Sequence, residues 1–309
     1  MSRRFWRKLA ILHKIETVYG TDIVPTAADA ILATNVSFMP MEGDEVSRDL
    51  MLPYLGAQGI VLAGTYGRIE FDIEVAGSGA VGTPPAYGSL LRIAGLAETI
   101  DAGVDVTYSP IDDDREAGSI YFVSDKVRHV LLGCRANVSV TLTPKQIPKF
   151  RFTVTGLLGT ISDQVSMPAV SQAGWKVPVV VSKAQTAMSL HGWPAVAESL
   201  TLDLGNTIVP RFLIGDEAVE ITDRQSSGTA VVEARPLADV DWFGKAMSRA
   251  RGALLLTHGT VAGNIVEFAA PAVEIGKPTQ GNTDGILNYS LPLTLATTAG
   301  LDEIAITIR

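Results

Sequence analysis

Ile69-Glu70-Phe71-Asp72-Ile73-Glu74-Val75 decides the fold class of this chain. Ile69, Phe71, Ile73 and Val75 fall on one face of an extended segment, and Glu70, Asp72 and Glu74 on the other. A strict period of two puts one face in a core and the other in solvent, as in a half-buried antiparallel strand. The same alternation recurs at 138–143, 150–154, 200–204, 229–234 and 287–295. Between these runs stand turn clusters such as Thr143-Pro144-Lys145-Gln146 and Gln280-Gly281-Asn282-Thr283-Asp284-Gly285. Helical candidates are few and short: 87–97, 240–250 and 9–19. The pattern predicts a mainly β (α+β) protein with one short helix per half.

Composition agrees with a folded β protein. The 309 residues are 47% hydrophobic and only 19% charged, which excludes intrinsic disorder. No run reaches the roughly 18 apolar residues that a membrane helix needs. A single cysteine, Cys134, excludes a disulfide framework or a thiolate-rich zinc site. The net charge of −8 argues against tight nucleic-acid binding, which draws its affinity from neutralised phosphates. That charge is uneven: Arg3, Arg4, Arg7, Lys8 and Lys14 make a small basic arm ahead of an acidic body. The arm superficially resembles a twin-arginine export signal, but only Leu9–Leu12 follows as an apolar core, too short for one. A solvated arm docked on a neighbour or on its own body is the expectation.

Order and spacing repeat within the chain. Residues 119–155 run hairpin, small-residue turn, strand, turn and long strand, and 253–295 run through the same order. Upstream, the strand at 69–75 and the helix at 87–97 have counterparts at 229–234 and 240–250. Asn35–Asp49 likewise corresponds to Ser199–Leu213, each a strand followed by a charged loop. Two copies of one α+β unit are expected, the first with an acidic insertion near 97–117. The expected divisions are a basic arm and short helix at 1–32, a first unit at 33–158, a connecting segment at 159–194 and a second unit at 195–309.

Candidate chemistry is thin. Gly77-Ser78-Gly79-Ala80-Val81-Gly82 spells G-x-G-x-x-G after a strand. That strand alternates, however, and Pro84 and Pro85 stand where the fingerprint needs a helix. A Gly-rich loop is expected instead, with no cofactor. His13, His129, His191 and His258 lack zinc-hydrolase spacing. Asp112-Asp113-Asp114 lacks the glycine and glutamate of a calcium loop, and Cys134 reads as a buried, inert thiol. The residues point to no metal and no catalysis.

Several collinear runs nevertheless resemble one family, that of phage tail tube proteins. They are residues 8–26 (KLAILHKIETVYGTDIVPT), 41–50 (MEGDEVSRDL), 53–57 (PYLGA), 75–79 (VAGSG), 198–207 (ESLTLDLGNT) and 256–264 (LTHGTVAGN). The resemblance implies a structural virion protein of long-tailed, siphovirus-type bacteriophages, made in the host cytoplasm and resident in the tail. It implies a β-sandwich or barrel unit with a flanking helix, of which the internal repeat gives two in tandem, and self-assembly into stacked rings around a hollow lumen. The implied partners are the chain itself, tail terminator, tape measure and distal tail proteins, with DNA passing through transiently and no membrane. A receptor- or carbohydrate-binding β module is the alternative, and four tryptophans offer it few stacking platforms.

Two sets of residues carry the assembly expectations. The long segment Met41–Tyr66 mixes both charge signs with apolar anchors, which suits contact with an adjacent ring. Asp44, Glu45, Arg48, Asp49 and Tyr54 are its candidate stacking residues, and Arg211, Asp216, Glu217 and Arg224 of Gly205–Gly228 are their counterparts. Glu70, Asp72 and Glu74 are candidates for the lumen wall. If each unit fills one of six ring positions, three chains close a ring.

Overall fold

The structure, a computed structural model, describes residues 3–309. Its first half holds β1 (Leu9–Ile15), β2 (Ala30–Ile31), β3 (Thr34–Ser47), β4 (Ile60–Glu74), α1 (Gly88–Ile93), β5 (Leu96–Asp101), β6 (Asp105–Pro110), β7 (Gly118–Ser124), β8 (Val127–Leu142) and β9 (Lys149–Asp163). Neighbouring strands run β2-β1-β7-β8-β9-β4-β3, every pair antiparallel.

The second half holds β10 (Thr186–Leu190), β11 (Trp193–Pro194), β12 (Ala197–Asp203), β13 (Asn206–Leu213), β14 (Asp216–Arg224) and β15 (Ser227–Glu233). After these come α2 (Trp242–Met247), β16 (Arg251–His258), β17 (Val266–Ile275), β18 (Thr279–Thr283), β19 (Ile286–Leu295) and β20 (Ala305–Ile308). Its neighbours run β11-β10-β16-β17-β19-β15-β12, again antiparallel throughout. Strand for strand, this is the order of the first half, with α1 after β4 and α2 after β15. Even an irregularity repeats: the ladder shifts between Gly118 and Ile120 in one unit and between Gly252 and Leu254 in the other. Each of these glycines leaves room for a histidine ring, His13 or His191, that a Cβ would strike at 2.4 Å.

Alternation in the sequence becomes alternation in burial. Ile69, Phe71, Ile73 and Val75 are buried, while Glu70, Asp72 and Glu74 stay half-exposed on the opposite face. Phe71 stacks on Phe152 across the β4–β9 pair, ring centroids 5.8 Å apart. Each buried aromatic of this kind contributes about 1.5–3 kcal/mol by leaving water. The core is continuous through both units, with Phe150 of β9 against Phe268 of β17 at 5.9 Å.

Three sequence expectations change here. Residues 9–15 form strand β1, not a helix, because β1 lies between β2 and β7 and Ala10 to His13 are all buried. A short buried run has no period that separates strand from helix. Consequently β1 and β2 belong to the first unit's sheet, and β10 and β11 to the second's, so 9–163 and 186–309 are the units that strand pairing defines. The helices are also shorter than expected; Gly95, at φ +78°, ends the first turn run just before β5 begins. Finally, Met41–Tyr66 and Gly205–Gly228 are mostly β-hairpins. The β3–β4 ladder continues to Ser47 opposite Ile60, leaving 48–59 as the loop, and β13–β14 closes on Ile214-Gly215. β3 is exposed on both faces and bulged against β4, β13 is partly exposed throughout, and β14 buries the adjacent Ala218 and Val219, so no period of two marks them.

The acidic segment 97–117 is the β5–β6 hairpin and the loop after it. In the second unit α2 leads directly to β16.

Candidate assembly interface

Within this one chain, a unit-to-unit contact is already made. Beyond Cys134, β8 leaves β7, and its freed edge takes β12 of the second unit: Ser139, Val140, Thr141 and Leu142 stand opposite Asp203, Leu202, Thr201 and Leu200. Leu142, Val140, Leu200 and Leu202 are buried together at this seam. Polar groups fix its register. Asn137 donates from Nδ2 to Asp203 Oδ1 at 2.9 Å and accepts on Oδ1 from the Asn206 amide at 2.9 Å. Asn206 in turn donates from Nδ2 to the Ala94 and Ala136 carbonyls, at 2.6 and 3.0 Å.

A second strand contact crosses between units at β20, which pairs with β17 on one side and β6 on the other. The hairpin peculiar to the first unit thus receives the end of the second. Thr107 and Thr307 share a hydroxyl hydrogen bond of 3.0 Å across this join.

The β13–β14 hairpin drapes over the first unit. The Val219 amide donates to the Tyr19 hydroxyl at 2.6 Å, and Arg115 Nη1 donates to the Ile221 carbonyl at 2.6 Å. Phe212 of β13 lies 6.4 Å from Tyr66 of β4, ring centroid to ring centroid. Arg224 is mostly buried, paired with Glu303 and 3.5 Å from Asp112, so this member of the expected stacking set serves inside the chain. Arg211, Asp216 and Glu217 remain exposed around the hairpin tip, as do Asp44, Glu45, Arg48, Asp49 and Tyr54 at the far end of β3–β4.

The acidic stripe of β4 is answered by bases that the sequence reading did not pair with it. Arg151 of β9 donates from Nη2 to Glu70 Oε2 at 2.7 Å and from Nη1 to Asp72 Oδ1 at 2.9 Å. Arg68 reaches Glu70 at 2.9 Å, and Lys149 stands opposite Glu74 in the ladder. These ion pairs keep the Arg151 guanidinium above its usual range. The alternating stretch 150–154 carried the signal: its polar positions face the polar positions of 69–75 in an antiparallel pair. This surface is therefore a lattice of both charges.

The remaining motifs take structural places. Gly77 touches Gly263 of the second unit so closely that a Cβ would stand 2.0 Å from the Gly263 carbonyl oxygen, which accepts from the Gly79 amide at 2.9 Å. The G-x-G-x-x-G run is thus a backbone-to-backbone joint between units, and α1 starts only at Gly88. Cys134 is fully buried, where desolvation pushes its thiol up, away from the reactive thiolate. Asp112 is held by Arg115 at 3.2 Å. Of the basic arm, Arg4 donates to the Ser124 carbonyl at 2.8 Å, and the Phe5 amide to Asp125 at 2.9 Å, so the arm docks on its own body. Ser2 lies outside the described residues. Among those described, no helix is long and apolar enough to cross a membrane.

No curated protein matched the chain in a sequence search. The family described as phage tail tube protein matches residues 6–295, which takes in both units, the seam and the two long hairpins. With nearly its whole length matched, the chain belongs to the phage tail tube protein family and is a structural protein of the bacteriophage tail.

Proposed function

We propose that this chain self-assembles into rings that stack into the hollow tail tube of a siphovirus-type phage, the conduit for DNA delivery. The observation that carries the reading is the same seven-strand order twice, joined by pairing of β8 with β12. Such a join is heterologous: one unit offers the edge of β12 and the other the edge of β8. Heterologous contacts repeat around an axis until they close. Three chains then supply six units, giving threefold symmetry with a sixfold appearance. Tandem linkage favours closure because half of the unit contacts are intramolecular.

Through the seam, the sheet runs on as β3-β4-β9-β8-β12-β15-β19, with its apolar face on the shared core. In a ring, the opposite face, with Glu70, Asp72 and Glu74, lines the lumen. Arg151, Arg68 and Lys149 temper its negative potential, so DNA meets a wall that neither binds it as a basic groove would nor repels it strongly. Asp44, Glu45, Arg48, Asp49 and Tyr54, with Arg211, Asp216 and Glu217, are the contacts to the next ring. Tail terminator, tape measure and distal tail proteins meet the tube at its ends and in its bore, and the chain is made in the host cytoplasm before assembly. Negative-stain microscopy of the concentrated protein tests this: hollow rings or tubes are expected, and dispersed monomers at every salt concentration would overturn it.

A further inference from the structure

The seam occupies one edge in each unit, and the equivalent edges at the far ends of the chain are empty. In the first unit, β3 corresponds to β12; its inner edge pairs with β4, and among the described residues no strand covers its outer edge. In the second unit, β18 corresponds to the end of β8. Val140 stands opposite Phe150 and Phe150 opposite Ile73, while Gln280 stands opposite Tyr289 and Tyr289 opposite Val232. Ile73 and Val232 are the last inward positions of β4 and β15, so Gln280 takes the place of Val140. β18 pairs with β19 alone, and all its residues are exposed.

Burial distinguishes the filled edge from the empty one. Leu200 and Leu202 of β12 are 1% and 2% exposed beneath the seam. Their counterparts on β3, Val36 and Phe38, face the same way and are only half-buried. The hairpins differ likewise. Ala218, Val219 and Ile221 of β14 are buried in the chain, with Val219 and Ile221 bonded to first-unit residues. The far end of β3–β4, in contrast, leaves Val46, Ile60, Val61 and Leu62 each more than half exposed. A lone two-stranded ribbon of this kind is marginally stable in water and gains by packing on another surface.

Resting on the ring reading above, we propose that the outer edge of β3 pairs antiparallel with the free edge of β18 in a second copy of this chain. Val36, Ser37, Phe38 and Met39 then stand opposite Asn282, Gly281, Gln280 and Thr279 of that copy. The β3–β4 ribbon lies over the copy's second unit as β13–β14 lies over the first. Chain-to-chain contact thereby reproduces the contact within the chain, main-chain hydrogen bonds supplying affinity as in other strand additions. An unpaired strand edge is itself a template for such addition.

The test is a Met39→Cys, Thr279→Cys double variant treated with a short bis-maleimide, beside hydrogen exchange of the unsubstituted chain before and after assembly. Covalent ladders of two and three chains are expected, with amides at 36–39 and 279–282 exchanging at least about tenfold more slowly in the assembly. Assembled rings with neither the ladder nor the protection would overturn this pairing and leave the ring reading standing. Failure of the unsubstituted chain to assemble under any condition would overturn both.

Discussion

Leu202 of β12 stands directly opposite Val140 of β8, 2% and 4% exposed, and this pair ties the second unit to the first. Both side chains leave water only because strands more than fifty residues apart in sequence share an edge. A carboxylate at either position is buried without a partner, so Leu202→Asp is expected to cost at least about 3 kcal/mol. Urea unfolding would show the shift, and a loss below about 1 kcal/mol would mean that the seam is solvated.

Acid should weaken the fold through His13. Its ring lies buried on β1, with Nδ1 3.1 Å from Ser89 Oγ, and desolvation lowers its pKa from 6.5 to about 3. The unfolded chain takes up a proton below pH 6.5 that the folded chain refuses, so stability present at neutral pH is lost as pH falls. By pH 4.5 the loss from this residue is about 3 kcal/mol. Leu190 holds the matching position in the second unit: it faces Leu254 as His13 faces Ile120. His13→Leu should therefore keep its stability better between pH 7 and 4.5, as urea midpoints at the two values would reveal. An unchanged pH dependence would mean that His13 is protonated in the folded state.

Gly77→Ala should be disproportionately harmful for a single methyl group. The new Cβ meets the Gly263 carbonyl and the Asn264 backbone, neither of which can rotate aside. A loss of about 2–3 kcal/mol is expected, against about 1 kcal/mol for Gly20→Ser, whose Cβ meets nothing within 4 Å and whose only penalty is the left-handed backbone at φ +70°. Thermal unfolding of the two variants side by side measures the contrast.

Arg151→Ala should cost only about 0.5–1 kcal/mol, because the guanidinium is 38% exposed and its ion pairs are screened by solvent. Arg68 still holds Glu70, and Asn35 still donates to Asp72 at 2.6 Å. Uncompensated like charges on β4 then make the variant's stability rise with salt more steeply than that of the unsubstituted chain. Parallel salt responses in denaturant titrations would show that Arg151 does not balance this face.

Local alternation makes Ile69 to Val75, Phe150 to Val154 and the second unit's runs at 200–204, 229–234 and 287–295 legible, because one buried face imposes a period of two. The repeat was legible from spacing alone, and Pro84 and Pro85 were enough to dismiss the nucleotide fingerprint. Strand β1 was lost because burial on both sides erases the period. The segments 41–66 and 205–228 read as loops because exposure of β3 on both faces, and burial of the adjacent Ala218 and Val219 in β14, erase it equally. Nothing near Val140 names Leu202 as its partner: pairing between distant edges leaves no local trace. The alternation at 150–154 places Arg151 on the polar face of a strand, but only the β4–β9 pairing sets it against Glu70 and Asp72.

If two units per chain fill alternate positions in one ring, the ring holds half as many chains as units. Native mass spectrometry of isolated rings, with symmetry analysis of tube images, counts them. Three chains per ring, with threefold symmetry and a sixfold-like outline, is the predicted result. Six chains per ring, with the second unit outside the tube wall, would contradict it.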